Sequence, residues 1–295
     1  MKIGPTLIAD TYAEAFRMRF ARLCVTAIDP HWLDAALREF CGYGSSVIGC
    51  DAEVGVERML AADDSPDGRP GALVMAFGFS GDALAKAVPN RVGQCVMTCA
   101  TSAVFDALPG ADDRFALGSH LRFFGDGYQK SKRHLDRRFW RVPVMDGEFV
   151  CEESFGVAKG VAGGNIIIQS RTQQGALDAA RRAVEAVAPL PGTITPFPGG
   201  VVRSGSKVGA KYAGMVASTN QAFCPSLRGR LETQLAPEAN CAYEIVINGQ
   251  DEQAVAAAMQ RAIHAAAGPG IPAISAGNYG GKLGKFHFHL RELLG

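Results

Sequence analysis

The chain has 295 residues, 47% of them hydrophobic, enough for a substantial core and more typical of two joined lobes than of one small domain. A formal net charge of +1 supplies no global field that would draw in nucleic acid or an anionic membrane, so neither is an expected partner. No stretch approaches the roughly 18 apolar residues of a membrane span. Met1-Lys2-Ile3-Gly4-Pro5 shows no apolar leader, and a cytoplasmic location is the expectation. Eight cysteines without a CxxC pair argue against a zinc ribbon, a thioredoxin motif or a disulfide scaffold.

In chain order, residues 23–28 read as a strand, Asp29-Pro30 opens a helix to about residue 41, and 45–50 read as a second strand. The order repeats with a strand at 72–77, a helix at 80–88 and a strand at 94–99. The second half offers a strand at 165–169, an Ala-rich helix at 174–187 and a strand at 193–202 interrupted by Pro196 and Pro198. A strand at 241–248, a helix at 251–267 and a strand at 272–276 complete it. Two βαββαβ series predict an α+β fold of two ferredoxin-like (split βαβ) lobes from an internal duplication. The expected lobes are residues 1–145 and 146–295, the second with a long insertion at about 203–240. In each lobe two helices cover one sheet face, and the other face needs a cover from another lobe or subunit.

Within the run Cys241-Ala242-Tyr243-Glu244-Ile245-Val246-Ile247-Asn248-Gly249, alternation places Tyr243, Ile245 and Ile247 on a core face and Glu244 between Ala242 and Val246 on the opposite one. If that second face is covered, the carboxyl loses water and its pKa rises toward neutrality, which turns it into a hydrogen-bond donor. A strand glutamate is more often solvated or half of a salt bridge. The insertion carries Lys207, Lys211, Ser218-Thr219-Asn220 and Arg228-Gly229-Arg230, groups that can hold polar or anionic parts of a ligand or simply form a covering flap. Between the halves, Phe123-Phe124-Gly125-Asp126-Gly127-Tyr128 reads as an aromatic strand end and turn, followed by a basic run at 130–138.

The glycine clusters Gly163-Gly164, Gly199-Gly200 and Gly277 to Gly281 each fit turn chemistry. Gly200 to Lys207 nearly spells a phosphate loop, but the lysine is displaced by one position and no helix onset follows, which excludes an NTPase reading. No GxGxxG joins a strand to a helix, which removes the argument for a nicotinamide enzyme. His287 and His289 share a strand face but lack further ligands at suitable spacing, so no metal site is assigned.

Six segments together carry a resemblance that spans nearly the whole length in order: Gly93 to Thr98, Phe123 to Gln129, Gly160 to Asn165, Pro196 to Gly200, Tyr243 to Gly249 and Ile274 to Gly284. The chain resembles the formylmethanofuran:tetrahydromethanopterin formyltransferase family. The balanced charge and the basic residues Lys130, Lys132, Arg133, Arg137 and Arg138 make it look, within that family, like the D subunit of the bacterial formyltransferase/hydrolase complex. The resemblance implies a homodimer or homotetramer with the furan coenzyme in a cleft between subunits, further subunits of the complex as partners, and no prosthetic group. Its coenzyme substrates would be a tetrahydromethanopterin and a methanofuran-type carrier.

The resemblance also places the key acid at Glu244. The transfer between N5 of the pterin and the amine of the carrier passes through a tetrahedral oxyanion that a protonated Glu244 would meet as a hydrogen-bond donor. In a methylotroph the implied direction is pterin to carrier, ahead of hydrolysis to formate. By motif position the substrate-binding candidates are Gln94, Tyr128, Gly163, Gly164, Asn165, Gly199, Gly200, Lys207, Ser218, Thr219, Asn220, Asn278, Gly280, Gly281 and Lys282. Their alternative role is turn formation and internal hydrogen bonding. The alternative function is a non-catalytic pterin- or carrier-binding scaffold of a one-carbon enzyme complex. For the basic run, a polyglutamyl coenzyme tail or an acidic partner surface is the expected contact.

Overall fold

The computed structural model describes residues 1–295, a mixed α and β chain with five α-helices, none long and apolar enough to cross a membrane. It divides into two compact units, residues 18–160 and residues 1–17 with 161–295. The partition falls inside the strands Tyr12–Thr26 and Ser154–Ser170. Residues 1–17 belong with the later unit because Thr6–Ile8 runs parallel to Ala273–Ser275 and residues 12–15 pair with Phe286–His289.

In the unit 18–160, four antiparallel strands stand in the order Glu53–Leu60, Gly71–Gly78, residues 19–26 and Ala103–Asp106. The helices Pro30–Cys41 and Gly81–Arg91 cover one face. The first is specified locally: the Asp29 carboxylate accepts from the N–H groups of His31 and Trp32, Pro30 opens the first turn, and Leu33, Ala36, Leu37 and Phe40 form its buried stripe. Residues 45–50 are not a strand. They turn, with the Gly49 and Cys50 N–H groups on the Ser46 carbonyl, and the ladder begins at Glu53. Residues 94–99 are not a strand either. The second helix runs on through a π-turn, Val92–Val96, because Val92 and Val96 are spaced for burial on one helical face. The aromatic segment is the 3-10 turn Arg122–Gly125, and the basic run is a hairpin, Lys130–His134 with Arg137–Val144. Three of its arginines are paired: Arg137 with Glu152, Arg138 with Glu153 and Arg141 with Glu148.

In the other unit the corresponding four strands follow the same spatial order: Thr193–Ile194, Cys241–Gly249, residues 161–170 and Ala273–Ser275, again antiparallel. The strand expected over 193–202 stops at Ile194, since Pro196 and Pro198 have no N–H to donate, and pairing resumes only at Val202. The helices Gln173–Val187 and Glu252–Ala266, capped by Thr172 and Asp251, bury alanines against Ile166, Ile168, Ile245 and Ile247. The other sheet face of this unit is covered by the chain's own insertion. Phe223, Leu235 and Ala239 pack on Ile167, and Gln169 receives the Ala236 N–H at 2.7 Å and donates to the Gln234 carbonyl at 3.3 Å.

Candidate active site

Glu244 lies on that covered face, paired in register with Ile167 and bridged on its other side to Val202 through two backbone hydrogen bonds of 2.7 and 3.1 Å. Its residue is 8% exposed, its Oε2 has no hydrogen-bond partner, and burial pushes the carboxyl up to about 7. An ionised carboxylate there would be an uncompensated buried charge, so the neutral acid is the favoured form below about pH 7. The slot in front of it, bordered by Val202, Arg203, Ser204, Asn220 and Phe223, has a volume of about 40 Å³. That admits a small group such as a carbonyl rather than a ring system.

Asn165 and the segment from Gly277 form a second side. The Asn165 Oδ1 accepts from the Gly277 N–H at 2.6 Å, and its Nδ2 donates to the carbonyls of Gly163 and Gly277 at 3.1 Å each. A Cβ built on Gly277 would stand 3.8 Å from Glu244 Oε1, so the loop backbone lies against the carboxyl. Two residues on, the Tyr279 hydroxyl bonds to Ser206, and its pKa is raised by burial and then by the nearby Glu244 charge.

Of the residues named from sequence, the structure brings Asn220 to the Glu244 slot and Asn165 to Gly277, beside the carboxyl. Thr219 supports it indirectly through a 3.0 Å bond to the Ser204 carbonyl. Lys207 donates to Gln221 at 2.6 Å and Ser218 to the Gly209 carbonyl at 2.7 Å, contacts that knit the insertion together. Asn278, Gly280, Gly281 and Lys282 continue the loop beyond Gly277: Asn278 donates to Thr11 and the Tyr12 carbonyl, and Lys282 is exposed. Gly163 has φ +95° at a bulge between Ala162 and Gly164, its N–H on Asn248 Oδ1. Gly164 lets the strand approach Val255, and Gly200 does the same toward Val184; Gly199 occupies an open turn. Gln94 and Tyr128 belong to the unit 18–160, where Gln94 lines an apolar depression of about 840 Å³ with Met97, Phe124 and Met145, and Tyr128 is exposed.

Sequence reading missed Tyr279, Ser206 and above all Glu14. The Glu14 carboxylate is buried, and although burial alone would raise its pKa, backbone hydrogen bonds from Gly284, Tyr279, Leu283 and Gly281 hold it below the usual range. The available signal was the pattern Tyr12-Ala13-Glu14-Ala15-Phe16, an acid among apolar and aromatic residues like that around Glu244. His287 and His289 flank the Tyr12 ring, with centroids 5.1 Å away in each case.

The family model described as formylmethanofuran-tetrahydromethanopterin formyltransferase matches residues 1–144, and one described as FTR, proximal lobe, matches residues 147–293. A relative of the first description from Methylococcus capsulatus is 50% identical over 298 residues, covering 100% of both chains. The D subunit of the formyltransferase/hydrolase complex of Methylorubrum extorquens is 46% identical over 97% of this chain and 95% of that one. Among solved structures, the formyltransferase of Methanosarcina barkeri superposes with a TM-score of 0.95 at 47% identity over 100% of both chains. The Methylorubrum extorquens formyltransferase/hydrolase complex, solved with methylofuran, gives 0.94 at 46% identity over 98% of both chains. With both halves matched in order and close to half of all positions identical, the chain belongs to the formylmethanofuran–tetrahydromethanopterin formyltransferase family.

Proposed function

We propose that this chain transfers a formyl group between N5 of a tetrahydromethanopterin and the amine of a methanofuran-type carrier, with protonated Glu244 donating a hydrogen bond to the tetrahedral oxyanion. The observation that carries the reading is the Glu244 carboxyl itself: buried, without a partner on Oε2, and shifted to about 7. Attack by one amine nitrogen on the formyl carbon moves the carbonyl π pair onto oxygen, and collapse returns that pair as the bond to the other nitrogen breaks, the attacking nitrogen giving up one proton and the departing nitrogen taking one up. A preplaced acid in a low-dielectric slot stabilises that charge without reorganisation. By microscopic reversibility the same acid serves both directions. The direction pterin to carrier is favoured where a hydrolase consumes the formyl carrier, as the relatedness to one chain of a formyltransferase/hydrolase complex suggests.

In the same reading the two units are ferredoxin-like copies of a duplicated ancestor, supported by their matching element series and strand order. The chain acts in the cytoplasm as a homo-oligomer within a larger complex, and exposed Phe123, Phe124, Tyr128 and Met145 are suited to coverage by a ligand or another protein chain. The test is turnover by the recombinant chain given both coenzymes. Glu244→Gln should keep the fold and lose on the order of 10²–10³-fold in kcat, because an amide is a far weaker acid than a carboxyl facing an alkoxide. Wild-type kcat should fall as pH rises through about 7 while the residual activity of the variant stays flat there. Wild-type turnover in Glu244→Gln would remove the acid from the mechanism, and coenzyme binding without transfer by the unaltered chain would favour the scaffold role.

A further inference from the structure

Alternate residues of a strand face the same way, and Tyr12, Glu14 and Phe16 all meet the loop 277–284. The Tyr12 carbonyl accepts from Asn278 Nδ2 at 3.3 Å, and its hydroxyl lies 3.2 Å from where a Cβ on Gly281 would be. The Phe16 ring sits 5.9 Å from the Tyr279 ring, centroid to centroid. Between them, Glu14 takes four backbone N–H groups. Oε2 accepts from Tyr279 and Gly281 at 2.7 and 2.9 Å, and Oε1 from Leu283 and Gly284 at 2.7 and 2.6 Å. Gly280 and Gly281, both at φ +72°, bend the chain so that these donors converge.

The other end of the same loop lies against the Glu244 carboxyl through Gly277, and Tyr279, bonded to Ser206, is near enough for the Glu244 charge to raise its pKa. No helix or strand runs through residues 277–284, so the shape of the loop depends on the side chains that hold its backbone donors. Asn165 holds the Gly277 N–H, Asn278 Oδ1 that of Gly280, and Glu14 those of Tyr279, Gly281, Leu283 and Gly284. We infer that Glu14 is a positioning residue for the transfer: its carboxylate templates the 277–284 loop, and the templated loop keeps water from the Glu244 carboxyl. Only the kinetic arm of this inference rests on the proposed role of Glu244. The other titratable or charged groups around Glu244 are Arg203 and Cys224 in the slot, Tyr243 on its own strand and Tyr279 from the loop.

Glu14→Gln preserves shape but turns an N–H₂ donor toward backbone donors, so part of the loop must detach. The readout is the stability difference between Glu244 and Glu244→Gln as a function of pH, measured with Glu14 present and again in the Glu14→Gln background. With the loop detached, the pH at which Glu244 ionises should move down by at least about one unit from its value near 7. In parallel kcat should drop at least about tenfold with KM changed less than about threefold, and Glu14→Asp, which keeps both acceptors, should recover part of it. If Glu14→Gln does not fold, Gly281→Ala serves in its place, because it forces a Cβ into the left-handed region against Tyr12 while leaving Glu14 intact. An ionisation point unmoved in the folded variant overturns the inference. So does a moved one with undiminished kcat when Glu244→Gln is inactive. Full turnover in Glu244→Gln alongside a moved ionisation point retires the catalytic role of Glu244 and upholds Glu14 as the template.

Discussion

Exchanging Glu244 for Gln isolates what the ionisation of one buried carboxyl does to the fold. The group has an ordinary pKa of 4.5 and is pushed to about 7 in the folded chain by burial. At roughly 1.4 kcal/mol per pH unit, that rise is worth about 3 kcal/mol. Below 4.5 the carboxyl is neutral in both states, and the stability it permits is fully present. Between 4.5 and about 7 the unfolded chain releases a proton that the folded chain keeps, so stability falls with rising pH. Above about 7 both states are ionised, and the loss is complete. The amide of Glu244→Gln does not titrate, so the difference between the two proteins cancels every other group. Urea unfolding of both from about pH 4 to about pH 8 should show the variant gaining about 3 kcal/mol relative to wild type, most of it within that window. Parallel curves would mean that Glu244 is hydrated in solution, and the case for a neutral donor would fall with them.

Two further substitutions probe how the slot is held. Gly164→Ala would put a methyl 2.3 Å from Val255 Cγ1, between the 161–170 strand and the helix Glu252–Ala266; the overpacking should cost about 1–3 kcal/mol, seen as a lower urea midpoint. Gln169→Leu removes both bonds to Gln234 and Ala236 and leaves the Ala236 N–H without its acceptor. Limited proteolysis within residues 203–240 should then speed up by about tenfold while the unit's sheet stays protected, and unchanged cleavage would deny Gln169 its tethering role.

Where local chemistry decided the structure, the sequence was readable. The helices opened by Asp29, Ser80, Thr172 and Asp251 begin at their caps, since each cap side chain accepts an N–H from the following turn. Where two periods competed, it was not. Val92, Val96 and Met97 belong to a β-rich run that also satisfies helical spacing, and contact with the first helix favoured the latter. Likewise 45–50 offered β-branched residues, yet the ladder partner of the 71–78 strand is the segment from Glu53, which satisfies the alternation over more residues. The basic run was visible as charge, but the pairing of its Arg137 and Arg138 with Glu152 and Glu153 depends on strand registers that charge alone does not disclose.

Glu14 and Glu244 show the same limit within the candidate site. Each is an acid in a strand of alternating apolar residues, and each ends up buried. One receives four backbone N–H groups from residues 265 to 270 positions away and is held ionised; the other keeps an oxygen without a partner and is pushed toward neutrality. Local pattern therefore predicts that such an acid is buried but not which charge it carries, because the deciding donors arrive from the far end of the chain. That difference divides the labour of the pair. A carboxylate fixed as an anion organises the loop backbone, and a carboxyl left unsatisfied remains free to donate when a negative oxygen appears in front of it. Supplying Glu244 with an internal donor should thus lower its pKa and weaken the transfer even though the fold gains a hydrogen bond.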